Sequence, residues 1–177
     1  WIVPSSVFGQ NAPSNAILAA GIGVGRMGKW DIQNLLHQGM DRNVRVVAVC
    51  DVDAKRAEDS RKHLEGVYQK QVTDKKRVLK AYTDYREIIA RDDIDVVTIC
   101  TSEHWHAKIG VDAARAGKDM FVQKPMTYTI NEGRQLVKAV RDNKRILQVG
   151  SQQRSSVHFR RVCELVRNGA LGKLSTI

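Results

Sequence analysis

A parallel α/β sheet wound in both directions, with helices on both faces, is the fold class this sequence predicts, and three observations predict it. Strand-like and helix-like patterns alternate from Ala16 to Val149, the order that builds a parallel sheet joined by right-handed crossovers. The apolar run Ala16–Ala20 passes directly into Gly21-Ile22-Gly23-Val24-Gly25-Arg26-Met27-Gly28, a glycine-rich turn where a buried strand would hand over to a helix. A second β-branched run, Val44-Arg45-Val46-Val47-Ala48-Val49, then ends at Cys50 and Asp51. The 177 residues are the size of one ordinary domain, with room for part of a second.

After the first strand, Met27–His37 carries Leu35 and Leu36 on one helical face and Gly39 closes it. Asp53–Tyr68 is expected to be a charged surface helix, Ala81–Thr83 a short strand and Tyr85–Ala90 one or two helical turns. Val96–Cys100 is the next buried strand; the alanine-rich segment His106–Ala116 is helical and Gly117 stops it. Asp119–Val122 makes another strand, ending at Gln123-Lys124-Pro125. Thr129-Ile130-Asn131-Glu132 has capping-box spacing and opens a helix through Leu136, Val137 and Val140, and Ile146–Val149 completes the sheet.

Both ends differ in character. Trp1–Asn15, with Pro4, Gly9, Pro13 and serines, reads as an irregular arm, and a start at tryptophan suggests a processed or truncated N-terminus. From Ser151 onward, Val157–Arg167 is an amphipathic helix and Lys173–Ile177 resembles the opening of a strand with nothing to pair against, so the segment 151–177 is expected to be the truncated start of a C-terminal α/β domain. The expected organisation is therefore an arm at 1–15, a doubly wound domain at 16–150 and the beginning of a second domain at 151–177.

Composition narrows the function. The net charge of +10 would attract a polyanion. The densest basic stretch, Lys70–Lys80, lacks a recognition helix, a zinc module or interleaved aromatics, so it reads as a solvated face and no nucleic acid is expected as partner. No long apolar run suggests a membrane span. The three cysteines form no disulfide framework and no metal-ligand spacing; Cys50 and Cys100 end apolar strands and read as buried thiols.

The glycines at 23, 25 and 28 follow G-x-G-x-x-G, a spacing with a physical purpose. The first permits a tight turn, the second lets backbone N–H groups approach a pyrophosphate, and the third lets helix and strand lie close. Gly23, Gly25, Arg26, Met27 and Gly28 are thus candidate dinucleotide contacts at a positive helix end. Asp51 lies just over twenty residues beyond Gly28, where a carboxylate accepts the ribose hydroxyls. It could instead cap a helix, but Asp53 suits that role better. Asp51 favours NAD, whereas Lys55 and Arg56 could accommodate the 2′-phosphate of NADP.

Ligands of open α/β sheets collect beyond the carboxyl ends of the strands. Thr101-Ser102-Glu103-His104-Trp105-His106 and Gln123-Lys124-Pro125 both fall there. Pro125 limits where Lys124 can point, and near a nicotinamide that cation could hold a substrate hydroxyl or stabilise an alkoxide; position alone leans toward an ordinary surface lysine and does not decide between the two. His104 and His106, spaced i and i+2 with only Glu103 nearby, match zinc poorly, and His106 is expected to pack near the cofactor or make local hydrogen bonds.

Together GIGVGRMG, VCDVD, ICTSEHWHA, AGKDMFVQKP, NEGRQLV and LQVGSQQRS resemble the N-terminal half of the glucose-fructose oxidoreductase and inositol dehydrogenase (Gfo/Idh/MocA) family, from about Ala16 to Gly172. The resemblance implies a Rossmann domain joined to a C-terminal α/β domain, acting on carbohydrates or polyols with NAD(P). By that resemblance Lys124 is the lysine of an E-K-P motif and contacts substrate, while Thr101, His106 and Gln123 lie at the cofactor. Gln123 stands where glutamate is usual and Ser102 where proline is usual. The expected partner is a small carbohydrate or polyol, with a homo-oligomer at full length. The arm resembles the segment after a twin-arginine export signal in one branch of the family, which favours an exported protein. Hydride transfer with NAD, or with NADP in its place, is the main reading; an NAD-dependent glycosidase using transient oxidation and a non-catalytic NAD-binding fragment are the alternatives.

Overall fold

The computed structural model describes residues 15–39, 42–71 and 79–175. The arm, except Asn15, and most of the basic stretch Lys70–Lys80 lie outside them. Strands β1 (Ile17–Ile22), β2 (Val44–Cys50), β3 (Lys80–Tyr82), β4 (Val96–Ile99), β5 (Asp119–Val122) and β6 (Leu147–Val149) form one sheet in the order β3-β2-β1-β4-β5-β6. Every pairing is parallel. The connecting helices are α1 (Arg26–Gly39), α2 (Ala54–Gln71), α3 (Tyr85–Ile89), α4 (Glu103–Arg115) and α5 (Ile130–Asp142). This is the doubly wound arrangement the sequence predicts, and the strand order reverses between β1 and β4.

Strand residues alternate between two cores, one per face. Leu18, Ala20 and Ile22 pack with Ile88, Ile109 and Leu136 of α3, α4 and α5. Ala19 faces the other way, toward Ile32 and Leu36 of α1 and Leu64 of α2. A sheet covered on both sides has no solvent face, which is why β1 and β2 read as continuous apolar runs rather than alternating ones.

Several boundaries move for local reasons. Helix α4 starts at Glu103, three residues before the expected His106, because Ser102 adopts the extended N-cap geometry and Glu103 suits the positive first turn. His106 therefore lies inside the first turn. The expected capping box is present in α5: the Thr129 hydroxyl accepts from the Glu132 backbone, and Glu132 accepts from the Thr129 N–H at 2.8 Å. Gly117, at φ +76°, ends the segment after α4.

Beyond the sheet, a 3-10 turn (Gln152–Ser155) leads into α6 (Val157–Arg167). The apolar face predicted for α6 is there, but Val157, Phe159 and Val162 are exposed. Residues 173–175 form no strand. Extended chain becomes a strand only with a hydrogen-bonding neighbour, and the described residues offer none there.

Candidate functional site

The glycine turn links β1 to α1 at the point where the strand order reverses. Gly23 has φ +80°, and a Cβ there would stand 2.6 Å from the carbonyl oxygen of Cys100 at the end of β4. A Cβ on Gly28 would overlap the carbonyl oxygen of Gly23. The protein's own packing thus demands both glycines. Gly25 differs: a Cβ would meet no atom of the described residues within 4 Å. Its bareness keeps open a space beside the first turn of α1, whose leading N–H groups have no intrahelical partners. That turn carries no acidic residue, while Arg26 and Lys29 add positive charge. Open space, free donors and positive potential together fit a pyrophosphate.

Asp51 is 6% exposed at the end of β2. One carboxylate oxygen accepts from the Val24 N–H at 3.0 Å; the other accepts from the Asp53 N–H at 3.1 Å and from Arg56 at 3.2 Å. Asp51 is therefore fastened to the glycine turn, and the N-cap role goes to Asp53, which accepts from the Lys55 and Arg56 backbones.

A cleft of about 590 Å³ opens above these strand ends. Its floor includes Gly23, Gly25, Asp51 and Thr101, and its outer wall is formed by Tyr85, Arg86 and Trp105. Tyr85 meets Trp105 edge-on at 6.3 Å, Arg86 stacks 4.9 Å over the Tyr85 ring, and the Tyr85 hydroxyl donates to Asp112 at 2.8 Å. The wall is aromatic and partly cationic, which suits a heteroaromatic ring.

Lys124 stands exposed just beyond β5, on a turn fixed from behind. Gln123 is 5% exposed: its amide N–H donates to Asp31 of α1 at 2.9 Å, and its amide oxygen accepts from the Lys124 backbone at 2.9 Å. The ring nitrogens of His106, 1% exposed, lie 2.7 Å from the Pro125 carbonyl oxygen and 3.0 Å from that of Thr101. This ring ties the end of β4 to the turn after β5. Burial, with the neighbouring Asp31, pushes the Cys100 thiol up to about 12.

A family model described as an oxidoreductase family with an NAD-binding Rossmann fold, Gfo/Idh/MocA, matches residues 17–151. This chain belongs to that family. It is 30% identical over 151 residues to the uncharacterized oxidoreductase YrbE of Bacillus subtilis, covering 85% of this chain and 40% of that protein. It is also 30% identical over 178 residues to an α-N-acetylgalactosaminidase of Shewanella oneidensis, covering 96% of this chain and 36% of that one. Among solved structures, myo-inositol 2-dehydrogenase from Lactobacillus plantarum superposes with a TM-score of 0.74 at 27% identity, over 90% of this chain and 43% of that one. The chain thus spans about two fifths of the length of these relatives.

Within the Gfo/Idh/MocA frame, the residues read from the sequence occupy different places, and Lys124 is not among the described residues that line the cleft. Gly23, Gly25, Asp51 and Thr101 line the cleft; Arg26 borders a second, smaller groove between α1 and α2, together with Lys29, Lys55 and Arg56. His106 and Gln123, expected at the cofactor, are buried behind the turns they hold. Met27 is half-buried in the first turn of α1. Sequence reasoning missed Asp31, Tyr85 and Trp105 as site residues. Asp31 left a signal: it falls on the buried stripe Gly28, Asp31, Ile32, Leu36, Gly39 of α1, where a carboxylate needs a partner. Among the described residues no group of three His, Cys, Asp or Glu could hold a metal ion, and no helix is long and apolar enough to cross a membrane.

Proposed function

We propose that this chain is the cofactor-binding part of an oxidoreductase that transfers hydride between NAD(P) and a hydroxyl or carbonyl of a sugar or cyclitol. The observation that carries the reading is that three strand ends share one edge of the parallel sheet: an open glycine turn after β1, a buried carboxylate after β2 and an exposed lysine after β5, held from behind. When bound, the nicotinamide supplies the hydride acceptor or donor. Gly23 to Gly28 would hold the pyrophosphate, Asp51 the ribose hydroxyls and Tyr85 with Trp105 the base, while Thr101 would lie beside the nicotinamide end. As hydride leaves the ring carbon a base would remove the hydroxyl proton, and Lys124 would donate a hydrogen bond to that oxygen, favouring alkoxide character. His106 and Gln123 act by keeping Lys124 in place.

Residues 16–150 are read as the cofactor domain and 151–177 as the start of a substrate domain, which would use the exposed apolar face of α6. Asp51 favours NAD, and its pairing with Arg56 leaves a route to NADP if that arginine turns to a 2′-phosphate. The full-length protein is expected to be a homo-oligomer, measurable by light scattering. The deciding experiment is calorimetric titration of the full-length protein with NAD(H) and NADP(H), followed by turnover of myo-inositol and common aldoses. No binding at millimolar cofactor would remove the proposal.

Likeness to the Shewanella glycosidase favours a second reading, in which transient oxidation eliminates a glycoside and the hydride returns. Release of nitrophenol from its α-N-acetylgalactosaminide without net NADH formation would select it.

A further inference from the structure

Asp31 and Gln123 are 92 residues apart in sequence, yet they form a buried hydrogen bond directly beneath the Lys124 turn. Asp31 is 8% exposed on α1 and Gln123 5% exposed after β5. Two hydrogen bonds dictate the amide's orientation, and a glycine leaves room for it. The amide N–H faces the Asp31 carboxylate, its oxygen receives the Lys124 N–H, and Gly150 lies on the third side, where a Cβ would stand 2.8 Å from that oxygen. The orientation cannot invert, because an inverted amide would put its oxygen against a carboxylate and its N–H₂ against the Lys124 N–H.

A glutamate at position 123 would be a different object. Its oxygen would face Asp31 at hydrogen-bond distance, and two carboxylates that close in a buried site cannot both ionise. With an amide at position 123 the turn has a single carboxylate hydrogen-bonded to that side chain, and α1 supplies it. We propose that Asp31 is a positioning residue for Lys124, carrying from α1 the buried negative charge of the lysine turn and acting through the Gln123 amide. The groups that face it are the Cys100 thiol at the end of β4 and Gln123 after β5, with Lys124 the cation nearby.

This inference rests on the reading of Lys124 as the group that meets substrate, and its test separates the two. Four variants of the full-length protein are compared: Asp31→Asn, Gln123→Glu, the Asp31→Asn/Gln123→Glu double exchange, and Lys124→Ala. In Gln123→Glu the pair must retain a proton, so its folded-state pKa lies above the unfolded value; stability is kept in acid and lost as pH rises. The expected thermal midpoint is nearest the parent's at about pH 4, close to the unfolded carboxyl values, and falls by about 3 °C or more relative to the parent by pH 8.5. The double exchange restores one carboxylate and one amide donor, and with them a parent-like pH dependence. Asp31→Asn is expected to lower kcat about tenfold with KM and NAD affinity unchanged, and the double exchange to recover most of it. A pH-independent midpoint in Gln123→Glu, or a double exchange as impaired as the singles, would overturn the proposal. If Lys124→Ala retains parental kcat while the midpoints behave as expected, the role of Lys124 fails but the Asp31–Gln123 exchange stands.

Discussion

The glycine turn and the lysine turn lie at the same end of one sheet, yet they are built on opposite principles. At the glycine turn the backbone is the working surface: two glycines are imposed by neighbouring carbonyls, and the third keeps a space clear. At the lysine turn the working group is a side chain, and buried side chains from α1 and α4 hold the loop that bears it. Backbone placed by close packing tolerates no added atom, whereas a loop placed by hydrogen bonds tolerates exchange if donors, acceptors and charge are conserved. The two halves should therefore fail differently when altered.

The largest effect is expected at Gly28. Gly28→Ala puts a methyl group into the carbonyl of Gly23 and should abolish the native fold, read as loss of a cooperative thermal transition; a parent-like midpoint would contradict the close contact. Gly25→Ala, by contrast, should leave the midpoint within about 1 °C and weaken NAD binding at least about tenfold, because its methyl group intrudes only on the ligand's space. Equal loss of stability in both variants would erase the distinction.

Next in size, Lys124→Ala should lower kcat about a hundredfold or more while leaving NAD affinity within about twofold, the signature of a group that acts on substrate. A large loss of NAD affinity would place Lys124 with the glycine turn instead. Asp51→Ala should weaken NAD about tenfold to a hundredfold, the worth of hydrogen bonds to a buried charge. NADP should lose less, since Arg56 is freed from its pairing with Asp51 and no carboxylate opposes a 2′-phosphate. Comparing the two dissociation constants by calorimetry decides it.

The smallest effect concerns the thiols. Burial, aided by neighbouring carboxylates, pushes Cys50 and Cys100 up to about 12, so both stay protonated at pH 8 and iodoacetamide should modify the exposed Cys163 first. Asp31→Asn should raise labelling of Cys100 and leave Cys50 unchanged, because the Asp31 carboxylate raises the Cys100 thiol and not the Cys50 thiol. Peptide mass spectrometry reads both sites.

Much of this architecture was legible from local pattern. The run into Gly23, the β-branched strand ending at Asp51 and the Thr129–Glu132 box each carry their geometry in a few adjacent residues, and the structure places them as expected. Tyr85 and Trp105 were not legible as one wall, since a helix and a strand intervene before their rings meet. Nor was the burial of His106 and Gln123, whose partners lie on other elements.

The sequence by itself determined the winding of the sheet, the place of the glycine turn and the strand ends that bear Asp51 and Lys124, because periodicity, β-branching and backbone-specific glycines act over neighbouring residues. Only the tertiary structure decided that Gly25 faces open space while Gly23 and Gly28 do not, and that the acid beneath Lys124 comes from α1. Both depend on contacts between segments far apart in the chain, and a buried charge or an empty space acquires meaning only from what surrounds it.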